Sequence, residues 1–242
     1  MVVLTGTDLY NDIRTSPEAQ QSLELATRLV VLQPKGIEEL AVHLRDKTRV
    51  IYQSALRPNQ QIAKPKTTFD VCVLGHLRPV KDPFRAAAAA RFLPQTSRIR
   101  VVHVGRALSD DMADRARAET AENPRYRWLG ELPRWRALRV LARSHVLVLS
   151  SVVEGGANVI SEALVASVPV LASRIAGSVG LLGEDYPGYF PVADTLALTR
   201  LLARVETDRT FYNALAARCA QRVYMFHPDR EREAWKQLLE EL

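Results

Sequence analysis

From Phe69 onward, apolar residues fall in short unbroken runs. Each run closes on a glycine or a pair of serines and is followed by a stretch with helical spacing. Val71–Leu74 ends at Gly75, Ile99–Val104 at Gly105, Tyr126–Leu129 at Gly130 and Val146–Leu149 at Ser150-Ser151, and Val170–Ala172 is a fifth run. Between them the pattern predicts a helix over Pro83–Phe92, with Pro83 suited to a first turn. A second is capped at Ser109-Asp110-Asp111 and runs to Glu122. Two more follow over Leu132–Ala142 and Asn158–Ala166. The strand runs are continuous rather than alternating, as burial on both faces requires. Strand, turn and helix in repetition predict an α/β fold with a parallel sheet flanked by helices. Ligands of such sheets bind at the carboxyl ends of the strands. Function is therefore expected in the turns after Leu74, Val104, Leu129 and Leu149.

The first 60 residues carry the same pattern in shorter form. Strands are predicted over Val2–Leu4, Leu29–Leu32 and Arg49–Tyr52, with helices over Pro17–Thr27 and Ile37–His43. Ala55–Thr68, rich in Pro, Gln and Lys, reads as a linker. After a break at His227-Pro228, Pro228–Leu242 reads as a charged amphipathic helix. No repeat is present, and the alanine run Ala86–Ala90 needs no special role inside its helix.

Composition narrows the partners only partly. The 242 residues are 47% hydrophobic and 25% charged, with a net charge of +6, and the sequence pI is about 9.5. A basic balance favours nucleic acid, an anionic membrane surface or phosphorylated small molecules. Arg134, Arg136, Arg139 and Arg143 share a helix with Trp135, but such a helix reads first as a solvated face, and nucleic acid rests on charge alone. Cys72 lies inside an apolar run and Cys219 in a helical stretch, with no disulfide framework and no CxxC metal pair, which fits a reducing cytoplasm. No apolar run reaches the roughly 18 residues of a membrane span, and the N-terminus lacks the pattern of a signal peptide. His43, His103, His145 and His227 have neither metal-ligand nor triad spacing and read as structural.

Ser150–Glu162, SSVVEGGANVISE, is the richest stretch. Gly155 and Gly156 permit close backbone approach to a ligand. The amides of Ala157, Asn158 and Val159 would stand at the positive end of a helix, a site for a phosphate or a ligand oxygen. Glu154 and Glu162 could both reach one crevice, where carboxylates accept from sugar hydroxyls. The other reading is a plain strand–helix connection with a capped helix.

EGGANVISEA followed by Pro169-Val170-Leu171-Ala172-Ser173 resembles the family 4 glycosyltransferases of GT-B fold, and the match extends over about residues 70–225. Val73-Leu74-Gly75-His76-Leu77-Arg78-Pro79-Val80-Lys81-Asp82 resembles the family's Gly-Arg-Leu-x-x-x-Lys-Gly turn. Lys81 matches the lysine, His76 stands for the usual arginine and Asp82 for the glycine. The resemblance implies a nucleotide-sugar donor. Lys81 and Arg78 would hold the diphosphate, where fixed cations stabilise the departing nucleotide's charge. Glu162 would hold the ribose, Glu154 and the Gly155–Ala157 backbone the donor sugar, and Asn158 and Val159 would lie near the diphosphate. The turn Trp128-Leu129-Gly130-Glu131 would lie by the nucleobase, although Trp128 itself reads better as a core residue. No metal or cofactor is implied.

Leu4-Thr5-Gly6-Thr7-Asp8-Leu9-Tyr10 resembles the acceptor-side His-Gly-x-Asp turn, with Thr5, Gly6, Thr7 and Asp8 as acceptor-side residues. Together with Gly183-Glu184-Asp185-Tyr186-Pro187-Gly188-Tyr189-Phe190 it is most similar to the selenosugar synthases of selenoneine biosynthesis, which transfer a sugar from a UDP-sugar to selenophosphate. The implied division is an incomplete acceptor-side Rossmann-like domain over 1–60, a complete donor domain over 61–226, and a helix over 227–242 crossing back. On this reading the chain is N-terminally truncated or a short variant, and alone it would bind donor weakly and turn over slowly or not at all. A hydroxyl or lipid acceptor, and a non-catalytic nucleotide-sugar-binding remnant, are the alternatives.

Overall fold

The computed structural model describes residues 1–57 and 62–242. Two parallel sheets organise them. Residues 1–50 supply β1 (Val2–Leu4), a π-helical turn (Asp8–Asp12) that continues into α1 (Ile13–Thr15), α2 (Pro17–Leu25), β2 (Leu29–Val31), α3 (Lys35–Glu38), α4 (Val42–Arg45) and β3 (Thr48–Val50). The strands pair in the order β1-β2-β3. One face of this sheet packs Leu4, Leu29 and Val31 against Leu9, Leu23, Leu40 and Leu44.

The larger unit runs β4 (Phe69–Leu74), a 3-10 turn (Pro79–Lys81), α5 (Arg85–Arg91), β5 (Ile99–Val104), α6 (Asp110–Glu122), β6 (Tyr126–Trp128), α7 (Arg134–Arg143), β7 (Val146–Leu149), α8 (Asn158–Val165), β8 (Val170–Ser173), α9 (Ala176–Leu182), β9 (Tyr189–Phe190), α10 (Thr195–Thr207) and α11 (Arg209–Ala220). A 3-10 turn (Val223–Phe226) leads to α12 (Pro228–Glu240). Its six strands lie in the order β6-β5-β4-β7-β8-β9, all parallel. The chain winds outward from β4 to β6, then returns to β7 on the other side of β4. That reversal opens a crevice beyond the carboxyl ends of β4 and β7, where doubly wound sheets hold ligands. Val71, Val101, Val146, Leu147, Val170 and Leu171 are fully buried, as two covered faces demand.

α12 lies against the other face of the small sheet, where Leu238 packs with Val30 and Ile51. Glu241 at its end pairs with Arg28 and Arg49, and the Ser54 amide donates to Glu231 near its start.

Several predicted boundaries shift for local reasons. The helix expected over Ile37–His43 divides into α3 and α4, because Ala41 is extended and the Arg45 guanidinium donates to the carbonyls of Leu40 and Glu38 at the break. Pro83 stands before α5 rather than inside it: Asp82 is left-handed, and the Arg85 amide turns back to its carbonyl. Pro133 is extended, so α7 begins at Arg134. The alanine run is more than filler. Ala86, Ala87, Ala89 and Ala90 are fully buried, Asn123 donates to the Ala87 carbonyl and Thr199 to that of Ala89. Larger side chains would push α6 and α10 away. Of the expected linker over 55–68, residues 58–61 lie outside the described residues. Ala55 is buried with its amide bonded to Phe226, and Lys64 bonds the Tyr212 hydroxyl, so these two positions are anchored.

Candidate active site

The crevice is built from the connection after β4 and the connection after β7. In the first, Asp82 takes φ 43° and ψ 56°. This left-handed conformation suits glycine, and aspartate tolerates it better than most residues. Its carboxylate accepts from Arg85 at 2.6 Å. The turn swings Lys81 inward, and the Val152 amide pins it by donating to the Val80 carbonyl. In the second, Ser150 donates to the Asp82 carbonyl at 2.9 Å. Lys81 and Glu154 form a close ion pair. Ser151 donates to the same Glu154 oxygen at 2.6 Å.

Two adjoining cavities occupy the crevice. The smaller, about 30 Å³, is lined by Lys81, Ser150, Ser151 and Val159, with His103 beneath. The larger, about 230 Å³, is lined by Glu131, Arg134, Leu138, Val104 and Glu162. Leu74, Gly75 and His76 line both. Glu162 is buried, and the exposed Arg134 reaches it at 2.7 Å. Burial raises the Glu162 carboxyl above its ordinary value, and Arg134 opposes that shift. Burial lowers His103 to about 4, so its ring is neutral at physiological pH. The buried ring sits between the Tyr126 hydroxyl and the Gly75 carbonyl. Burial raises the Tyr126 phenol, so its hydroxyl stays protonated. Tyr126 then donates to Nδ1 and Nε2–H donates to Gly75, fixing the floor of the crevice.

The two glycines of the Glu154 loop lie where the N-terminal sheet comes close. A Cβ on Gly155 would stand 1.5 Å from the Thr5 carbonyl oxygen, and one on Gly156 would stand 2.6 Å from Leu32 Cβ. The missing side chains admit the N-terminal sheet. A Cβ on Gly180 in α9 would stand 1.9 Å from Gln33 Oε1, so that helix is close-packed on the same side. Ala157 is buried, and Asn158 Oδ1 is buried without a hydrogen-bond partner. The first amides of α8 have no intrahelical acceptor.

Thr5 and Gly6 meet this loop from the other side, and Thr7 and Asp8 follow in the same turn. The amides of Thr5 and Gly6 and the Thr5 hydroxyl all donate to the Asp8 carboxylate. Asp8 therefore shapes its own turn.

The chain, matched over residues 57–224, fits the model for "Glycosyl transferases group 1". It belongs to that family. Solved structures agree in fold. Anabaena HepE in complex with UDP and glucose superposes with a TM-score of 0.80 at 17% identity over 96% of this chain and 67% of that one. The sucrose-phosphate synthase of Thermosynechococcus elongatus gives 0.76 at 21% over 97% and 64%. The pneumococcal O-GlcNAc transferase GtfA in complex with UDP and GlcNAc gives 0.74 at 16% over 99% and 51%. The glycosyltransferase thus spans half to two thirds of these proteins, and its α/β fold is of GT-B type.

Of the residues expected at the site of this transferase, Gly75, Lys81, Val159 and Glu162 line the crevice, and Glu154 joins it through Lys81 and Ser151. Arg78 is exposed and lines neither cavity; His76 lies between them. Trp128 is half-buried, with its indole N–H on the Gly105 carbonyl at 2.8 Å. Arg134 lies on the solvated face expected of it, and in addition pairs with Glu162, a contact its spacing does not mark. Ser151 was missed as a partner of Glu154, because a serine three residues before a glutamate carries no distinctive signal. Two roomier clefts, about 530 and 470 Å³, share Tyr224 and Met225 near α12 and α11. They are lined by neither Lys81 nor Glu154. No helix among the described residues is long and apolar enough to cross a membrane.

Proposed function

We propose that the crevice binds a UDP-sugar and that the chain transfers the sugar to a small anionic acceptor, selenophosphate. The observation that carries the donor reading is the paired cavity at the reversal between β4 and β7, with the Glu162 carboxylate at one end and Lys81 and the start of α8 at the other. Glu162 accepts from the ribose hydroxyls. Lys81 exchanges Glu154 for the diphosphate, with Arg78 as a second cation, and the α8 amides at Asn158 and Val159 face the same charge. Glu154, released from Lys81, and the Gly155–Ala157 backbone hold the sugar. UDP is the nucleotide named for HepE and for GtfA, and this supports uracil here. In the transfer, the bond from the anomeric carbon to the β-phosphate oxygen breaks with its electron pair going to UDP, and a selenium lone pair forms the carbon–selenium bond. The acceptor reading is supported by the resemblance of Leu4–Tyr10 and Gly183–Phe190 and by the basic composition.

The test is incubation of the chain with UDP-glucose or UDP-N-acetylglucosamine and selenophosphate, thiophosphate, phosphate or glycerol, following UDP release and product mass. UDP release matched by a selenosugar supports the proposal. Release with glycerol alone contradicts the acceptor. Binding of donor without release under any condition makes the chain a nucleotide-sugar-binding module.

A further inference from the structure

Among the described residues lining the larger cavity, Glu162 is the one buried carboxylate, and the group that answers it is an arginine from a different element. Arg134 opens α7, immediately after the turn Gly130–Pro133 that follows β6. Its guanidinium remains mostly solvated, with 70% of the side chain exposed against 10% for Glu162. Such a pair is asymmetric. Arg134 loses little by standing in water, whereas Glu162 depends on its partner to remain charged in a low-dielectric site.

The surroundings supply no substitute. Lining the same cavity are Glu131, which repels a second carboxylate, and His76, whose Nδ1 accepts from the Arg106 amide. β8 and α9 pack against α8 and carry no titratable side chain. α11 contributes the buried Cys219, which is held by the Tyr186 hydroxyl. The Val223–Phe226 turn contributes the exposed Tyr224. Arg136, Arg139 and Arg143 of α7 are exposed. Lys81 lines the adjoining cavity and is engaged by Glu154.

We propose that Arg134 is a positioning residue for the donor nucleotide: paired across the cavity mouth, it keeps Glu162 charged and aimed at a hydroxyl pair of the ligand. The inference rests on the donor reading above. A carboxylate has about four acceptor positions, so one Arg134 N–H on Oε1 leaves room for two hydroxyl donors. The pair therefore persists when the nucleotide is bound. A neutral Glu162 would lose charge-assisted acceptance, which is the stronger kind.

The experiment is calorimetric titration of the full chain with UDP at pH 6, 7 and 8, for the wild type, Arg134→Met, Arg134→Lys, Glu162→Gln and the double variant Arg134→Met with Glu162→Gln. The readout is the ratio of each variant's dissociation constant to that of the wild type, which cancels the protonation of UDP itself. Arg134→Met is expected to bind nearly as the wild type does at pH 8. At pH 6 it is expected to bind more weakly than the wild type, because burial raises the Glu162 carboxyl and fewer copies stay ionised once the opposing Arg134 is gone. Arg134→Lys recovers most of this loss, and in the Glu162→Gln background Arg134→Met adds nothing. A ratio that is constant across pH, or that persists in the Glu162→Gln background, overturns the inference, because Arg134 then acts on the nucleotide directly or on the fold. Tighter binding by Arg134→Met overturns it as well, making Arg134 a competitor for Glu162. If the wild type does not bind UDP at all, the donor reading falls and this inference with it.

Discussion

Gly155→Ala adds one methyl group where the structure has no space for it. The new Cβ would lie 1.5 Å from the Thr5 carbonyl oxygen, 2.2 Å from its carbon and 2.9 Å from the Gly6 nitrogen. All three are backbone atoms, so no rotamer change relieves the clash. Restoring ordinary contact requires the two segments to separate by about 2 Å. The turn that must move is braced by its donations to Asp8, and a Cβ on the neighbouring Gly156 would also stand too near, 2.6 Å from Leu32 Cβ. Overpacking of this kind costs about 3 kcal/mol. In a chain of this size that lowers Tm by about 6–12 °C. Thermal unfolding by circular dichroism measures it, with Gly75→Ala as the matched control, since a Cβ there meets nothing within 4 Å. Gly155→Ala should also expose residues 1–50 to limited proteolysis while the large sheet stays folded. If Gly155→Ala and Gly75→Ala unfold within about 1 °C of each other, the packing of the N-terminal sheet against the Glu154 loop is wrong.

Three further outcomes follow from particular contacts. At Asp82, with φ 43°, Asp82→Gly should stay within about 0.5 kcal/mol of the wild type, because relief of the left-handed strain offsets the lost Arg85 bond. Asp82→Ala should lose about 1 kcal/mol in urea unfolding. His103 has a folded value of about 4 against an ordinary value of 6.5, so the unfolded chain binds the extra proton first. Its contribution is therefore fully present above pH 6.5 and is lost as pH falls toward 4, amounting to about 3 kcal/mol; the stability difference between the wild type and His103→Gln should shrink or reverse across that window. Asp70 is buried and accepts from the Arg100 guanidinium at 2.7 and 3.1 Å, so Arg100→Met should cost about 2 kcal/mol in urea unfolding, and an unchanged midpoint would contradict the pairing.

Much of the architecture was legible because two-face burial leaves a plain mark. Ile99–Val104 and Val146–Leu149 fall at the boundaries read from their apolar runs, and Ser109 caps α6 through the Met112 amide as expected. The convergence of Lys81 and Glu154 could be anticipated only because both follow strands of one parallel sheet. What escaped the reading depends on contacts distant in sequence. Nothing near Gly155 announces that its neighbour is Thr5, 150 positions earlier. Arg134 is one of several arginines on its helix, and only the turn after Gly130 brings it to Glu162. The break between α3 and α4 is made by the Arg45 side chain returning to carbonyls, an event with no periodic signature. β9 is two residues long, too short for any pattern to mark.

A crystal structure of the chain with UDP shows whether the crevice between β4 and β7 holds the donor. The ribose hydroxyls should lie on the Glu162 carboxylate, with Arg134 still paired to it, and the diphosphate beside Lys81 and the first amides of α8. Nucleotide bound instead in the clefts around Tyr224 and Met225, or in the crevice with its ribose away from Glu162, would contradict that placement.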